Sequence, residues 1–336
     1  MPASKNFISF YGIWPEMQKY LKSISKGLTF TTNESRLTEQ NINPKTTILA
    51  TFVETPIDKK IMDSLPNLKM IAAMSTGFDH IDLAAAKEKN IVVCNVPSYG
   101  EVTVAEHTMA LMLALSRKIF ASVKKVKEGA YDFHGLRGID LQGKTLGVIG
   151  TGKIGVQVIK RATAFDMKVV AYDPFPNKLA EREFDFSYVT LDKLLSSADF
   201  ITLHVPLLPT TYHLINKKNI SKIKQGAYLI NTARGALIEP AALLGALKSK
   251  RLTGAALDVV EDENLIEDEE QIIQGKPTLE QLKTNAINKM LIEHPDTIIT
   301  PHNAFNSTEA LERIVGVTIQ NIRAFCKGTV QNKVGE

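Results

Sequence analysis

Between Thr145 and Gly155 the chain reads TLGVIGTGKIG, an apolar run that breaks into three glycines spaced G-x-G-x-x-G. Thr145 to Ile149 reads as a strand buried in a parallel sheet, and Gly150 makes the tight turn out of it. Gly152 lets a backbone approach a pyrophosphate closely. Gly155 lets the following helix pack against the strand, with its N-terminal amides facing the phosphates. Glycine-rich turns also serve packing alone, so the weight comes from what surrounds them. Ile154, Val156, Val158, Ile159, Ala162 and Phe165 give the next helix an apolar face, and Lys168 to Tyr172 is a second β-rich run closed by Asp173. That carboxylate falls about twenty residues past the glycines, where it can take the ribose hydroxyls of a dinucleotide; before Pro174 it would suit a turn equally well. Tyr172-Asp173-Pro174-Phe175 holds no arginine for a 2′-phosphate, so the stretch reads as an NAD site rather than an NADP site.

The fingerprint lies near residue 150 of 336, so something folded precedes it, and two domains are the natural division. A net charge of +4 is too small to argue for nucleic acid, and the longest apolar run, Met109 to Leu115, is too short to span a bilayer. The N-terminus has no signal-peptide core, and Cys94 and Cys326 sit singly in apolar runs, reading as small buried hydrophobes in a reducing compartment. The cytoplasm is the expected location, without membrane or nucleic-acid partners.

Residues 7 to 100 alternate β-rich runs (Phe7 to Tyr11, Leu28 to Thr32, Thr47 to Phe52, Lys69 to Met74, Ile91 to Val96) with helical segments, which predicts a parallel sheet covered on both faces. From Val102 the pattern turns helical through Val123, apolar all round its first half, a half that should be buried between domains or against a second subunit. Past Asp173 the alternation resumes as a second doubly wound sheet of at least five strands. Asp258 to Glu270 carries eight acidic residues in thirteen, a solvated loop without the ligand order of a calcium-binding hand, and no metal is expected. The last helix, capped by Asn306 or Ser307, is expected to fold back on the first domain, making that domain discontinuous. The fold class is therefore α/β with two doubly wound domains, divided as 1–100 with 302–336, and 101–301.

Hydride chemistry needs a group to hold the substrate and a group to move a proton. Arg234 in Asn231-Thr232-Ala233-Arg234-Gly235, His302 in Thr300-Pro301-His302, and a glutamate past the Gly254 to Val260 strand all stand at predicted strand ends. An arginine fork can grip a carboxylate and polarise a carbonyl together, and a histidine beside a carboxylate stays protonated near neutrality. His204, also at a strand end, competes for the acid/base role.

Over nearly its full length the chain resembles the D-isomer-specific 2-hydroxyacid dehydrogenases. The matching segments are Ser75 to Asp82, Val104-Ala105-Glu106-His107, Gly150 to Gly155, His204-Val205-Pro206, Asn231 to Gly235 and Thr300-Pro301-His302. The resemblance implies a flavodoxin-like substrate domain with an inserted Rossmann NAD-binding domain, and a homodimer. It also implies that Arg234 orients substrate, His302 is the acid/base, and a glutamate five residues after Asp258, Glu263, pairs with His302. Asn264 follows Glu263 where many members have proline, so Glu261 is the fallback. Cofactor contacts are implied from Lys153, Ile154 and Asp173, from Val205, Pro206 and Thr211, and from Thr232 and Ala233, with Asp258 reaching the carboxamide. The amides of Thr76 and Gly77 would meet the substrate carboxylate. Asn95 to Tyr99, Pro301 to Phe305 and the insertion between Glu263 and His302 look most like the D-lactate dehydrogenase branch, in which Tyr99 lies beside the substrate with Phe305 near it. Phe52, Trp14 or Tyr11 are further candidates for an apolar pocket. The expected reaction interconverts a 2-keto acid and a D-2-hydroxy acid. The rival reading, an NAD(H)-sensing corepressor that keeps the fold without turnover, is weakened because folded pattern runs from Phe7 to about Lys327 without long disordered tails. An oxidoreductase of larger or non-carboxylate substrates is the other rival.

Overall fold

The computed structural model describes residues 6–53, 55–267 and 277–335. The chain divides into two compact units, Met1–Tyr99 with Asn306–Glu336, and Gly100–Phe305.

In the first unit, β1 (Ile8–Tyr11), β2 (Phe30–Asn33), β3 (Ile48–Thr51), β4 (Met70–Ala73) and β5 (Val92–Cys94) form one parallel sheet in the order β2-β1-β3-β4-β5. This is the flavodoxin-like order, with its switch point between β1 and β3. All four residues of β1, β3 and β4 are buried, as expected of central strands with helices on both faces. Aspartates start two of the covering helices: Asp58 accepts from the amide of Ile61 and Asp82 from that of Ala85. The last helix, Thr308–Cys326, starts at Ser307, whose side chain accepts from the Ala310 amide, and packs on the helix Pro15–Ile24 and on β4. Both cysteines are unpaired, and Cys94 is buried as expected. Cys326 is exposed, contrary to its reading as a buried hydrophobe, because it ends the helix beyond the stripe formed by Ile314, Val315, Ile319 and Ile322.

In the second unit, β6 (Thr145–Ile149), β7 (Lys168–Tyr172), β8 (Ser187–Tyr188), β9 (Phe200–Leu203), β10 (Ala227–Asn231), β11 (Leu252–Leu257) and β12 (Thr297–Ile299) are all parallel, in the order β12-β11-β10-β9-β6-β7-β8. The strand order reverses between β6 and β9, and the glycine turn leaves β6 at that point. Ligands of open parallel sheets bind there, outside the carboxyl ends of the strands. The single helix expected from Val102 to Val123 is two helices, Glu101–Ser116 and Ile119–Lys127. The carbonyl of Ser116 accepts from the amide of Ile139, the returning chain passes so close that a Cβ on Gly138 would strike that carbonyl, and Lys118 takes a left-handed φ of +51°. The first of these helices is buried on Val104, Ala105, Met109, Leu111, Met112 and Leu115, against the helix Lys153–Ala164 and β11; the second buries nothing. Among the described residues no helix is long and apolar enough to cross a membrane. The expected acidic loop is described as far as a short helix, Asn264–Glu267; its residues 268–270 lie outside the described residues.

Candidate active site

Each glycine of the fingerprint meets a different constraint. Gly150 has φ +97°, and a Cβ there would lie 2.7 Å from the carbonyl carbon of His204, at the end of β9. A Cβ on Gly155 would collide with the carbonyl of Gly150, so the helix comes this close to the turn after β6 only because Gly155 has no side chain. A Cβ on Gly152 would meet no protein atom within 4 Å. Its missing side chain leaves room for something that is not protein. Gly152 caps the helix Lys153–Ala164, and a cavity of about 550 Å³ opens there, lined by Glu101, Thr151, Gly152, Lys153, Val156, Gln157 and Asn177. Open space above a helix N-terminus fits a dinucleotide diphosphate.

Asp173 ends β7 with both oxygens engaged. Oδ2 accepts from the amide (2.7 Å) and the hydroxyl (3.0 Å) of Thr151, and Oδ1 from the amide of Phe175 (2.8 Å). These bonds anchor the carboxylate beside the glycine turn; Oδ2 is filled by its two donors, and Oδ1 keeps one lone-pair site for a further donor. Val205 and Pro206 follow β9; the carbonyl of Pro206 accepts the Thr211 hydroxyl at 2.6 Å, so Thr211 holds that turn.

The end of β10 and the loop after β12 carry the charged groups. Asn231 folds the turn after β10, its side chain accepting from the Ala233 amide and donating to the Arg234 carbonyl. Thr232 is buried, its hydroxyl 2.9 Å from that of Thr108. His302 has φ +48°, its amide donating to the Asp258 carbonyl at 2.8 Å. The Asp258 carboxylate has no exposed surface and accepts from the Thr300 hydroxyl and from the amides of Asn303 and Ala304. Its hydrogen bonds lie within the His302 loop, His107 Nε2 stands 3.4 Å from Oδ1, and a cofactor carboxamide would be an additional partner. Asn231, His107 (Nε2 3.3 Å from the Thr300 hydroxyl) and Thr300 are supports that stand in the quoted motifs but were given no role there; a histidine on the buried half of an apolar helix was the available signal for one of them.

His302 Nδ1 lies 2.7 Å from Glu263 Oε1, with both side chains partly exposed. Burial pulls the His302 pKa down. The hydrogen bond and charge of Glu263 outweigh burial and the opposing Arg234 charge, and, with Asp258 adding to the upward side, the pKa ends above the ordinary imidazole value. Glu261, the alternative partner, is turned elsewhere, to Tyr212 and His213. His204 is no competitor: burial pushes its pKa down to about 3, and its Nε2 is taken by Thr202. The ring of Phe305 stands edge-on to His302, 6.5 Å between centroids.

Thr76, Gly77 and Tyr99 belong to the first unit. There the Thr76 hydroxyl donates to the Val96 carbonyl, the Asn95 side chain donates to the Thr76 carbonyl, and the Tyr99 carbonyl accepts from Arg313, so the loops after β4 and β5 are tied together. Tyr11 is not a pocket residue but core, 4% exposed, with its hydroxyl on the Asn41 carbonyl; Phe52, also buried, stacks on Trp14. Among the described residues no group of three or more His, Cys, Asp or Glu side chains could hold a metal ion.

Residues 109–304 match the model of the D-isomer specific 2-hydroxyacid dehydrogenase NAD binding domain. An aromatic 2-oxoacid reductase of Clostridium sporogenes is 41% identical over 279 residues, 82% of this chain and 80% of that protein. The D-lactate dehydrogenase of Aquifex aeolicus, solved with NAD and lactic acid, superposes with a TM-score of 0.84 at 34% identity, covering 96% of each chain. The apo D-lactate dehydrogenase of Escherichia coli does so with 0.84 at 32%, covering 98% of this chain and 100% of that one. The cofactor of this enzyme is NAD. With the match spanning its nucleotide-binding unit and the relatives spanning most of its length, the chain belongs to the family of D-isomer-specific 2-hydroxyacid dehydrogenases.

Proposed function

We propose that this dehydrogenase interconverts a 2-keto acid and its D-2-hydroxy acid with His302 as the acid/base, Glu263 as the partner that keeps it protonated, and Arg234 as the group that orients substrate. The observation that carries the reading is the 2.7 Å bond between His302 Nδ1 and Glu263, made where the Arg234 charge reaches the same imidazole. With Nδ1 held by Glu263, Nε2 is left to face the substrate and give its proton to the carbonyl oxygen as C2 gains the hydride. In the reverse direction neutral Nε2 takes the hydroxyl proton. The Arg234 fork holds the carboxylate and polarises the carbonyl. NADH, when bound, supplies the hydride. Its diphosphate is assigned to the turn of Gly150, Gly152 and Gly155 and to the amides of Lys153 and Ile154, and its adenosine ribose to Asp173. Val205, Pro206, Thr211, Thr232, Ala233 and Asp258 are assigned to the rest of the cofactor. Thr76 and Gly77 are assigned to carboxylate recognition in the first unit, with Tyr99 near the substrate, and Phe305 is assigned to packing against the substrate side chain in the second.

A second copy of this chain is the assigned partner. The helix Ile119–Lys127 exposes Ile119, Phe120, Val123 and Val126, each 46–56% accessible, an apolar face of the sort that a subunit interface covers. The unpaired cysteines suit a reducing compartment, and the cytoplasm is assigned on that ground.

The deciding experiment follows NADH absorbance with pyruvate, 2-ketobutyrate, 2-ketoisocaproate, phenylpyruvate, hydroxypyruvate and glyoxylate, and determines product chirality. Turnover of one of these to the D-alcohol is the expected result. NADH binding with no turnover of any would favour a nucleotide-sensing role.

A further inference from the structure

Glu263, which meets His302, follows closely on a second glutamate with partners of its own. Two residues before Glu263, Glu261 is 13% exposed in its side chain, and each of its carboxylate oxygens has a partner: Tyr212 Oη donates to Oε1 at 2.9 Å, and His213 Nε2 lies 2.9 Å from Oε2. Its carbonyl accepts from Asn288 Nδ2 at 2.7 Å, from the side of the helix Leu279–Ile292. The rings of Tyr212 and His213 stack with 4.0 Å between centroids, so the two donors form one plate. That plate is fixed in turn, because the His213 amide donates to the Ala236 carbonyl at 2.8 Å. Ala236 belongs to the short turn that follows Arg234. Gly235 in the same turn is pressed on the segment before Glu261, where a Cβ would collide with the Val260 carbonyl and the Glu261 nitrogen. Tyr212 and His213 thus meet on the Glu261 carboxylate, and the turn after Arg234 packs on the His213 amide and on the backbone at Val260 and Glu261.

We propose that Glu261 is a positioning residue: held by Tyr212 and His213, it sets where the Glu263 carboxylate meets His302 and keeps the Arg234 turn in register with that pair. The inference rests on the roles assigned above to Arg234, Glu263 and His302. A carboxylate with one hydrogen bond on each oxygen is oriented as well as placed, and charge-assisted bonds at low exposure are the strong ones. Removing it leaves the Tyr212 hydroxyl and the His213 ring without their partner and lets the Glu263 segment drift. Misplacement of a reacting group by about 1 Å costs about 10²-fold in rate.

The test measures kcat and KM for keto-acid reduction, NADH affinity by fluorescence, melting temperature, and the pH profile of kcat/KM in Glu261→Ala and Tyr212→Phe, with Glu263→Gln as reference. The charged and titratable groups that act on His302 are Glu263, Arg234 and Asp258; those around Glu261 are Tyr212, His213 and Asp262. Reduction needs protonated His302, so loosening Glu263 moves the alkaline limb to lower pH. Glu261→Ala is expected to lower kcat by up to about 10²-fold with NADH affinity unchanged, and to move the limb to lower pH, as Glu263→Gln does. Tyr212→Phe, which removes one bond only, gives a smaller loss in the same direction and serves if the alanine variant does not fold. A lowered melting temperature with kcat per folded molecule and the limb unchanged would overturn the inference. If Glu263→Gln moves the limb and the Glu261 and Tyr212 variants do not, only the positioning role fails. An unmoved limb in Glu263→Gln overturns the underlying assignment and the inference with it.

Discussion

His302 holds a left-handed backbone, a carboxylate on Nδ1 and a loop whose amides and hydroxyl converge on buried Asp258. A group so constrained is set up for one proton transfer, and His302→Gln is expected to lower kcat by roughly 10²- to 10⁴-fold with NADH affinity retained; near-normal turnover would remove it from the mechanism. Because Glu263 holds the His302 pKa above the ordinary value, keto-acid reduction is expected to persist to higher pH than an ordinary imidazole would allow and to fall as pH rises through that raised pKa, whereas oxidation of the hydroxy acid rises over the same window. Stopped-assay profiles in both directions check the opposite signs. Asp173→Ala should relax preference toward NADPH; an unchanged ratio of NADH to NADPH efficiency would count against a ribose role. At this scale the sequence was informative where a residue sits in a short motif: Asp173, Arg234 and His302 all stand at strand ends, as expected. The residues alone did not choose between Glu261 and Glu263; only the resemblance favoured Glu263, with Glu261 as the fallback. Both are glutamates on one irregular segment, and what separates them is Tyr212 and His213, far away along the chain.

Among the elements, the strand-turn-helix around the fingerprint separates folding from binding at neighbouring positions. Gly155→Ala places a methyl group into the Gly150 carbonyl and is expected to lower the melting temperature along with NADH affinity. Gly152→Ala meets no protein atom, so it should leave the melting temperature unchanged while weakening NADH, and thermal melts paired with fluorescence titration distinguish the two. Equal effects of the two variants would argue against a ligand at Gly152. Periodicity also showed where the strands lie, since buried parallel strands are continuous apolar runs. It did not show the break at Lys118, because the apolar pattern continues through Ile119 and Val123. The helix is stopped by a distant donor, the amide of Ile139, and no local signal marks it. Two-residue β8 was missed for a related reason: Ser187–Tyr188 is too short to carry an alternation.

For the whole molecule, the apolar face of Ile119–Lys127 makes assembly testable. Phe120→Glu with Val123→Glu is expected to yield monomers in sedimentation analysis at concentrations where the unaltered protein is a dimer; an unaltered protein that sediments as a monomer would discard the interface. The chain path has a consequence of its own. Gly100–Phe305 is continuous and interrupts a unit completed only by Asn306–Glu336, whose helix Thr308–Cys326 covers Pro15–Ile24 and β4. During synthesis, domains that emerge first ordinarily fold first. Here the order is expected to invert: the nucleotide-binding unit has all its strands while the first sheet, whose strands end at Cys94, still lacks the helix Thr308–Cys326 that covers it, so a nascent chain is expected to complete its cofactor fold before the unit that began it.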